Sequence, residues 1–300
     1  MAAVLQNQKA ALITGAASGI GFAVAKLCRS RGMHLALLDV DAVNLPKARD
    51  ELASANASLK TESYTIDVGD KSQWDSVVAK VQSTFPAIDL VLLNAARGTK
   101  PKDSNPWIYN TDYWRQIFDT NVFGPINGIS ALLPLLKADT APKSIVITGS
   151  KQGITNPPGG GNPAYNSTKG AIKILTEHLA HDLRSDAATA HISAHLLVPG
   201  WTWTGLMGNV GPTDESQVKK MKGSWAPSQV AEELERGLQQ GSFYIICPDD
   251  DVDQALDKAR MQWGCDDILE DRPPLSRWEK EWKGKAEKAI QEDAARRRIE

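Results

Sequence analysis

Residues 9–21 read Lys9-Ala-Ala-Leu-Ile-Thr14 followed by Gly15-Ala-Ala-Ser-Gly19-Ile-Gly21. The first six residues are typical of a short buried strand, and the spacing of apolar residues over 22–31 predicts a helix directly after the glycines. A strand, a glycine-rich turn and a helix form the context of a phosphate-binding turn, because glycines let the backbone approach a pyrophosphate at a helix N-terminus. This stretch therefore predicts the first unit of a nucleotide-binding α/β sheet.

A second apolar stretch, residues 34–39, predicts a strand that ends in Asp39. An acid at this place accepts hydrogen bonds from a ribose 2′-hydroxyl and repels a 2′-phosphate. Neither Ser18, before Gly19, nor Val40, after Asp39, supplies the basic group that a 2′-phosphate needs. We therefore expect a dinucleotide with a free 2′-hydroxyl, so that among nicotinamide cofactors NAD(H) is favoured and NADP(H) is the less favoured alternative.

Tyr165 and Lys169 lie four positions apart on a predicted helix, and Ser150 lies upstream at the end of a predicted strand. Four positions put two side chains on one face of a helix, so we expect the Lys169 ammonium near the Tyr165 phenol. A nearby positive charge lowers the pKa of a phenol from about 10, which makes proton transfer possible near neutral pH. Taken alone, however, the pair also has the pattern of two ordinary surface residues.

The composition of the chain favours a globular α/β protein and argues against several other classes. Three hundred residues, 42% of them hydrophobic, suffice for one large α/β domain with a buried sheet. The net charge of −2 argues against nucleic acid or a membrane surface as the main partner, and no apolar run approaches the roughly 20 residues of a membrane span. The polar start is unlike a signal peptide, and Cys28, Cys247 and Cys265 lack metal-ligand spacing. We expect a cytoplasmic protein with free thiols and no metal site.

Strand candidates alternate with helical segments along most of the chain, which is typical of parallel βαβ units. Together with the two strands above they predict an α/β fold, a doubly wound parallel seven-stranded sheet with the cofactor across the carboxyl ends of its strands. The other strands are predicted at residues 62–68, 88–94, 144–149, 191–198 and 242–248. The other helices are predicted at residues 44–55, 71–83, 112–121, 164–183 and 227–239.

The last fifty residues differ from the rest in being highly charged and containing Trp263, Trp278 and Trp282. We therefore divide the chain into a catalytic domain, residues 1–250, and a C-terminal extension, residues 251–300. The extension is expected to pack on the core or on a neighbouring subunit up to about Trp282, with a loose end after it.

Three motifs together carry a resemblance. Thr14-Gly15-x-x-x-Gly19-Ile20-Gly21, Tyr165-x-x-x-Lys169 and Pro199-Gly200 resemble the fingerprint of the short-chain dehydrogenase/reductase family, over residues 9–248. The resemblance implies a Rossmann fold and a nicotinamide cofactor.

The resemblance also implies the catalytic roles. Tyr165 would be the general acid/base, Lys169 would lower its pKa and bind the nicotinamide ribose, and Ser150 would hold the reacting oxygen. Asn121 matches the residue that positions a water for a proton relay behind Lys169. These four residues form the expected catalytic set.

The cofactor-binding residues follow from the same resemblance. Asp67 and Val68 resemble the pair that contacts adenine, and the segment after Pro199 resembles the one that holds the carboxamide. The expected cofactor contacts are Gly15, Ser18, Gly19, Ile20, Gly21, Asp39, Asp67, Val68, Asn94, Tyr165, Lys169, Pro199, Thr202 and Thr204.

The chain departs from the family pattern in two places. The usual Asn-Asn-Ala-Gly is Leu93-Asn94-Ala95-Ala96, so one Asn is missing and a Cβ is added where the family commonly has glycine. The stretch between Ser150 and Tyr165 is lengthened by a loop rich in proline and glycine, residues 156–163, which we expect at the mouth of the substrate pocket.

Aromatic residues after Pro199 lie in the segment that usually forms a substrate lid in the family. They favour an apolar or aromatic substrate, with simple packing of the lid on the core as the alternative. Arg97 either grips an anionic group or faces solvent. The expected pocket residues are Arg97, Gln152, Trp201, Trp203, Met207 and Trp225.

We therefore expect an NAD(H)-dependent enzyme that interconverts a secondary alcohol and a ketone, a small-molecule substrate. A homodimer or homotetramer is expected, because relatives commonly assemble through helices that flank the sheet. One alternative is an isomerase or cyclase on the same fold. Another is a non-catalytic protein that senses a dinucleotide, although such a sensor has no need of the complete catalytic set.

Overall fold

Seven parallel strands form one sheet in the order β3-β2-β1-β4-β5-β6-β7. The computed structural model describes residues 3–98, 110–157, 162–207, 211–215 and 220–299. The strands are β1 (Ala10–Thr14), β2 (His34–Asp39), β3 (Thr61–Thr65), β4 (Leu90–Leu93), β5 (Lys143–Thr148), β6 (Ile192–Val198) and β7 (Tyr244–Ile246). The predicted doubly wound α/β fold is confirmed.

Helices follow most of the strands. They are α1 (Gly19–Ser30), α2 (Asn44–Ala55), α3 (Lys71–Thr84), α4 (Thr111–Phe118), α5 (Gly124–Leu136), α6 (Gln152–Thr155), α7 (Pro163–Ser185), α8 (Pro227–Gln240), α9 (Gln254–Leu269) and α10 (Lys283–Arg297). A π-helical turn, Asp119–Phe123, joins α4 to α5, and short 3₁₀ turns span Gly205–Met207 and Ser276–Trp278. In the part of the chain that is described, no helix is long and apolar enough to cross a membrane.

The sheet is covered on both faces, and each of the six strands other than the edge strand β3 contributes side chains to both. In β1, Ala11 and Ile13 point to one hydrophobic core, and Ala10 and Leu12 point to the other. Helices α1, α2 and α8 cover the first core, and α3, α5 and α7 cover the second. This arrangement explains why the strands read as continuous apolar runs.

The strand order reverses at β1, which lies between β2 and β4. In a sheet of this kind the crevice outside the carboxyl ends of the strands at such a point is where ligands bind. The Thr14 hydroxyl joins the ends of β1 and β4 by accepting hydrogen bonds from the backbone N–H groups of Asn94 (2.8 Å) and Ala95 (3.0 Å). The ends of β1, β4 and β5 therefore meet at one crevice.

The C-terminal extension is ordered beyond the point where we expected a loose end. Helix α10 packs along α9, and its Ala286, Ile290 and Ala294 bury against Trp263. The expectation of a loose end after Trp282 is therefore wrong, since small and apolar residues four positions apart form a buried stripe on a highly charged helix. Helix α9 in turn contacts α6, so the extension packs on the catalytic domain. The division at residue 250 stays a prediction.

Candidate active site

The glycine-rich turn after β1 requires glycine at the places where it occurs. Gly15 and Gly19 have φ values of +67° and +55°, in the left-handed region that favours glycine. A Cβ on Gly21 would lie 2.1 Å from the Gly15 carbonyl oxygen. The turn therefore closes tightly against the first turn of α1 only with these residues.

The N-terminus of α1 is open for an anion. Phe22 donates its N–H to the Ser18 carbonyl (3.2 Å), so the N–H groups of Gly19, Ile20 and Gly21 precede the helical ladder. Ser18 has extended backbone and its side chain caps none of them. These N–H groups and the positive end of the helix dipole suit a pyrophosphate.

Asp39 lies beside this turn at the end of β2. Its carboxylate accepts the N–H groups of Ala17 (2.9 Å) and Asp41 (3.0 Å), one on each oxygen. Each carboxylate oxygen has a second lone pair, so the group can still accept hydrogen bonds from a ribose. The fixed carboxylate thus fits a dinucleotide whose 2′-hydroxyl is free.

Four further predicted cofactor residues lie around the turn. The Asn94 side-chain amide donates to the Thr14 carbonyl (3.3 Å) and lies where a Cβ on Gly15 would meet it at 2.8 Å. Thr204 packs on Gly19, whose Cβ would lie 3.1 Å from that of Thr204. Pro199 follows the end of β6. Thr202 is buried, and its backbone forms an isolated β-bridge with Trp225. The structure thus places the segment after β6 against the glycine turn.

The two residues predicted to contact adenine differ in exposure. Asp67 is exposed, and its carboxylate accepts the N–H of Gly69 (2.9 Å) within its own loop. Val68 is buried and packs on Gly124, the first residue of α5. Their contact with adenine stays a prediction.

Tyr165 lies in the first turn of α7, where the helix start fixes its position. Asn162 caps the helix by accepting the N–H of Tyr165 (3.2 Å), and Pro163 occupies the first helical position. The Asn162 amide also hydrogen bonds to the hydroxyl of Tyr113 on α4. This cap was not part of the predicted site, although Asn-Pro before a helical stretch is a recognised start signal.

Ser150, Tyr165 and Lys169 meet at the end of β5. The Ser150 side chain lies close enough to Tyr165 to lower the pKa of its phenol. Lys169 donates from Nζ to the Thr148 carbonyl (2.7 Å), and Nζ lies 5.6 Å from the centre of the Tyr165 ring. Gly153 lets α6 approach α7 closely, because a Cβ there would lie 2.4 Å from the Lys169 carbonyl carbon.

Asn121 lies in the π-helical turn and is almost fully buried. Its side chain accepts the N–H of Arg97 (2.7 Å) and donates to the Arg97 carbonyl (2.9 Å) and the Thr168 hydroxyl (3.1 Å). Thr168 precedes Lys169 on α7, so Asn121 ties the end of β4 to the catalytic helix. The structure therefore brings the four predicted catalytic residues to one place.

The pKa of Tyr165 corrects one expectation. Burial raises the pKa of Tyr165 to about 12, although the Ser150 side chain acts in the opposite direction. Burial also lowers the pKa of Lys169 to about 8. The spacing predicted a lowered phenol pKa, and this is wrong for the structure described. The reason is that Lys169 directs its ammonium to the Thr148 carbonyl, so desolvation of the phenol dominates.

A family model described as short chain dehydrogenase matches residues 9–215. The chain belongs to this family. A dehydrogenase/reductase of CLA biosynthesis from Lactiplantibacillus plantarum is 26% identical over 251 residues, which are 84% of this chain and 83% of the relative.

Two solved structures extend the comparison. A short-chain dehydrogenase/reductase from Burkholderia phymatum, in complex with NAD, is 27% identical with a TM-score of 0.77, over 89% of this chain and 96% of that one. An alcohol dehydrogenase from the archaeon Thermococcus sibiricus, complexed with 5-hydroxy-NADP, shares the fold at 24% identity and a TM-score of 0.63, over 78% of this chain and 91% of that one. The short-chain dehydrogenase/reductase from Burkholderia phymatum is thus a relative that binds NAD, and this short-chain dehydrogenase is an oxidoreductase by family.

The predicted pocket residues of this short-chain dehydrogenase have different surroundings. Arg97 is exposed and its guanidinium donates to Gln116 (3.4 Å), which is the solvent-facing alternative. Gln152 donates its N–H to the Ser150 hydroxyl (3.2 Å) and so lies beside the catalytic group. Trp225 packs on the core covered by α1 and α8, as the packing alternative expected.

Two tryptophans remain as candidates for the lid. Trp201 is 42% exposed, and the buried indole Nε1 of Trp203 has no hydrogen-bond partner among the described residues. The side chain of Met207 lies outside the described part of the chain, as do residues 158–161 of the lengthened loop. Their predicted roles at the mouth of the pocket stay predictions.

Sequence reasoning missed a buried ion cluster beside Ser150. Lys151 pairs with Asp249 (3.2 Å) and with Asp257 (2.6 Å), and all three side chains are mostly buried. No local pattern marks it, because its members are brought together only by the fold.

Proposed function

We propose that this short-chain dehydrogenase interconverts a secondary alcohol and a ketone with NAD(H) as the cofactor. The observation that carries the proposal is the meeting of Ser150, Tyr165 and Lys169 at the end of β5, in the crevice that also holds the glycine turn. A hydroxyl pair beside a buried ammonium suits proton transfer to a carbonyl oxygen.

The glycine turn and Asp39 would hold NADH, which would supply a hydride to the carbonyl carbon. Tyr165 donates its hydroxyl proton to the carbonyl oxygen, and the Ser150 hydroxyl holds the same oxygen by a hydrogen bond. The Lys169 ammonium stabilises the phenolate that Tyr165 becomes, and Asn121 holds α7 in place behind it. In the direction of oxidation, the Tyr165 phenolate takes the proton of the alcohol.

The preference for NAD(H) over NADP(H) rests on Asp39. Its carboxylate is fixed beside the glycine turn by two backbone N–H groups. A negative charge held there repels a 2′-phosphate and accepts ribose hydroxyls. The NAD-bound relative from Burkholderia phymatum is consistent with this choice.

Trp201 and Trp203 support an apolar or aromatic substrate, because they lie in the segment that follows β6 at the crevice. We propose a homodimer or homotetramer in the cytoplasm. Exposed apolar side chains on the helices that flank the sheet, Phe123, Ile126 and Ile174, support self-association. Light scattering on the purified protein measures the assembly.

The experiment is the substitution Tyr165→Phe, assayed with a panel of ketones and NADH. Loss of the proton donor is expected to lower kcat by at least about 100-fold, while the Kd for NADH stays nearly unchanged. Tyr244→Phe is the matched control, because Tyr244 lies on β7 and bonds to Glu177 outside the site. Wild-type protein that binds NADH but converts no carbonyl or alcohol would disprove the proposal.

A further inference from the structure

The residue after Ser150 is a mostly buried cation with two acidic partners. Lys151 Nζ lies 2.6 Å from Asp257 and 3.2 Å from Asp249, and the three side chains are only 13%, 3% and 11% exposed. Asp257 belongs to α9, so one of the partners comes from the C-terminal extension. We call Lys151, Asp249 and Asp257 the buried triad.

The buried triad touches the segment that follows β6. Lys151 donates its N–H to the Pro199 carbonyl (3.2 Å), and Asp249 accepts the N–H of Trp201 (3.3 Å). A Cβ on Gly200 would lie 2.5 Å from the Asp249 carboxylate and 2.8 Å from Lys151 Nζ. The charged groups therefore pack directly on the backbone of this segment.

The triad also lies at the base of α6, the short helix that begins directly after Lys151. The N–H of Gln152, its first residue, donates to the Ser150 hydroxyl (3.2 Å). One side of α6 packs on α7 through Gly153, and α9 contacts α6 as well. The turn that carries Ser150 is thus held between the Tyr165 helix and the extension.

Burying a charge is costly unless it is paired, so the three groups depend on one another. Removing one acid leaves the Lys151 ammonium with a single partner, and the cation can then shift towards Asp249. Because Lys151 is bonded in the chain to Ser150, such a shift moves the backbone that carries the catalytic hydroxyl.

We propose that Asp257 is a positioning residue for Ser150 that acts through Lys151, so that the C-terminal extension is part of the catalytic machinery. The inference rests on the proposed function, since it uses the role of Ser150 in holding the reacting oxygen. No contact of Asp257 with substrate or cofactor is needed.

The first test is Asp257→Asn in the full-length chain, with a ketone and NADH. A small displacement of Ser150 is expected to lower kcat by about 10- to 100-fold. The Kd for NADH should change by no more than about twofold, because the glycine turn and Asp39 lie outside the triad. Asp257→Glu, which restores the charge, is expected to recover part of kcat.

The matched control is Asp266→Asn, the same change on the same helix. Asp266 hydrogen bonds to Gln262 and lies outside the triad, so kcat should remain at the wild-type value. An equal loss in both variants would show that acidic residues of α9 act only on stability, and would overturn the inference.

A double-mutant cycle with Ser150→Ala distinguishes an effect of Asp257 on the position of Ser150 from a general loss of stability. If Asp257 acts through Ser150, Asp257→Asn should change kcat by no more than about twofold once the Ser150 hydroxyl is gone. A loss as large in the Ser150→Ala background as in the wild type would overturn the inference. An unchanged kcat in the Asp257→Asn single variant would also overturn the inference, but it would leave the proposed function intact. Wild-type protein without activity would refute the proposed function itself.

Discussion

Tyr165 and Lys169 share one buried environment, and burial favours the neutral form of each. The pKa of Tyr165 is raised to about 12 and that of Lys169 is lowered to about 8. Near pH 7 the phenol therefore keeps its proton and the ammonium keeps its charge, which is the combination that carbonyl reduction requires. By linkage, Lys169 makes the free energy of unfolding rise with pH between about 8 and 10.5, where the unfolded state binds the additional proton.

The pH dependence of reduction tests this assignment. We expect kcat/KM for ketone reduction to be level up to about pH 7 and to reach half its maximum near pH 8, because Lys169 then loses the proton that stabilises the phenolate. Lys169→Arg keeps a positive charge at all working pH values, so the alkaline fall in kcat/KM of this variant should move to higher pH. A pH–rate profile of each protein is the measurement, and an alkaline fall at the same pH in both would assign it to another group.

The proposed preference for NAD(H) can be tested at one residue. Asp39→Ala removes the acceptor for ribose hydroxyls, so we expect the Kd for NADH to rise about tenfold, as for the loss of a charged hydrogen bond. The affinity for NADPH should improve, because the repulsion of the 2′-phosphate is gone. Fluorescence titration with both cofactors measures the ratio. An unchanged preference for NADH would show that Asp39 is not the determinant.

At the scale of elements, periodicity predicted the helices that have one apolar face, and it missed a helix whose apolar residues are not confined to one face. The helix predicted at residues 44–55 has those bounds in the structure, and the strands differ by a few residues. Helix α5 was not predicted, because it is apolar around its circumference and contains Gly128 and Pro134. Gly128 is explained only by the fold, since it lies against Trp74 of α3. The predicted helix at 112–121 breaks at Phe118, where the π-helical turn begins.

The meeting of Ser150, Tyr165 and Lys169 was predictable because their spacing is local or is carried by a family motif, whereas their catalytic roles stay predictions. The electrostatics were not, since the pKa of Tyr165 depends on how deeply α7 buries it and on where Lys169 points. The pairing of Lys151 with Asp257 depends on a contact between α6 and α9, far apart in the chain. Such contacts leave no periodic signal in the sequence.

The contact between α6 and α7 yields a prediction at this scale. Gly153→Ala places a Cβ 2.4 Å from the Lys169 carbonyl carbon, so the two helices must separate. We expect a loss of about 1–3 kcal/mol in the free energy of unfolding, as for overpacking, together with a lower kcat because Ser150 moves from Tyr165.

Gly264→Ala on α9 is the matched control for this change. No atom lies within 4 Å of a Cβ at that position, and alanine favours a helix over glycine by about 0.5–1 kcal/mol. The control should therefore be slightly more stable than the wild type, with unchanged kcat. Chemical denaturation and steady-state kinetics give both quantities, and equal behaviour of the two variants would refute the close-packing explanation.

At the scale of the whole molecule, the extension depends on the domain that it covers. The hairpin of α9 and α10 has a small hydrophobic core of its own, and a segment of this size rarely folds alone. It is joined to the catalytic domain by the buried triad and by the contact of α9 with α6. We therefore expect the extension and the domain to lose structure together.

Denaturation of the full-length protein tests this coupling. Tryptophan fluorescence, to which Trp263, Trp278 and Trp282 contribute, should follow the same transition as the loss of NADH binding. Ile290→Ala removes a side chain that is 4% exposed and should lower the free energy of unfolding by about 2–4 kcal/mol in that single transition. Ile268→Ala, at an 83% exposed position of α9, should change it by less than about 0.5 kcal/mol. If Ile290→Ala instead produced an early transition in fluorescence with NADH binding retained, the extension would be an independently unfolding unit. That outcome would contradict the coupling expected from the buried triad, which pairs Asp257 of the extension with Lys151 beside Ser150.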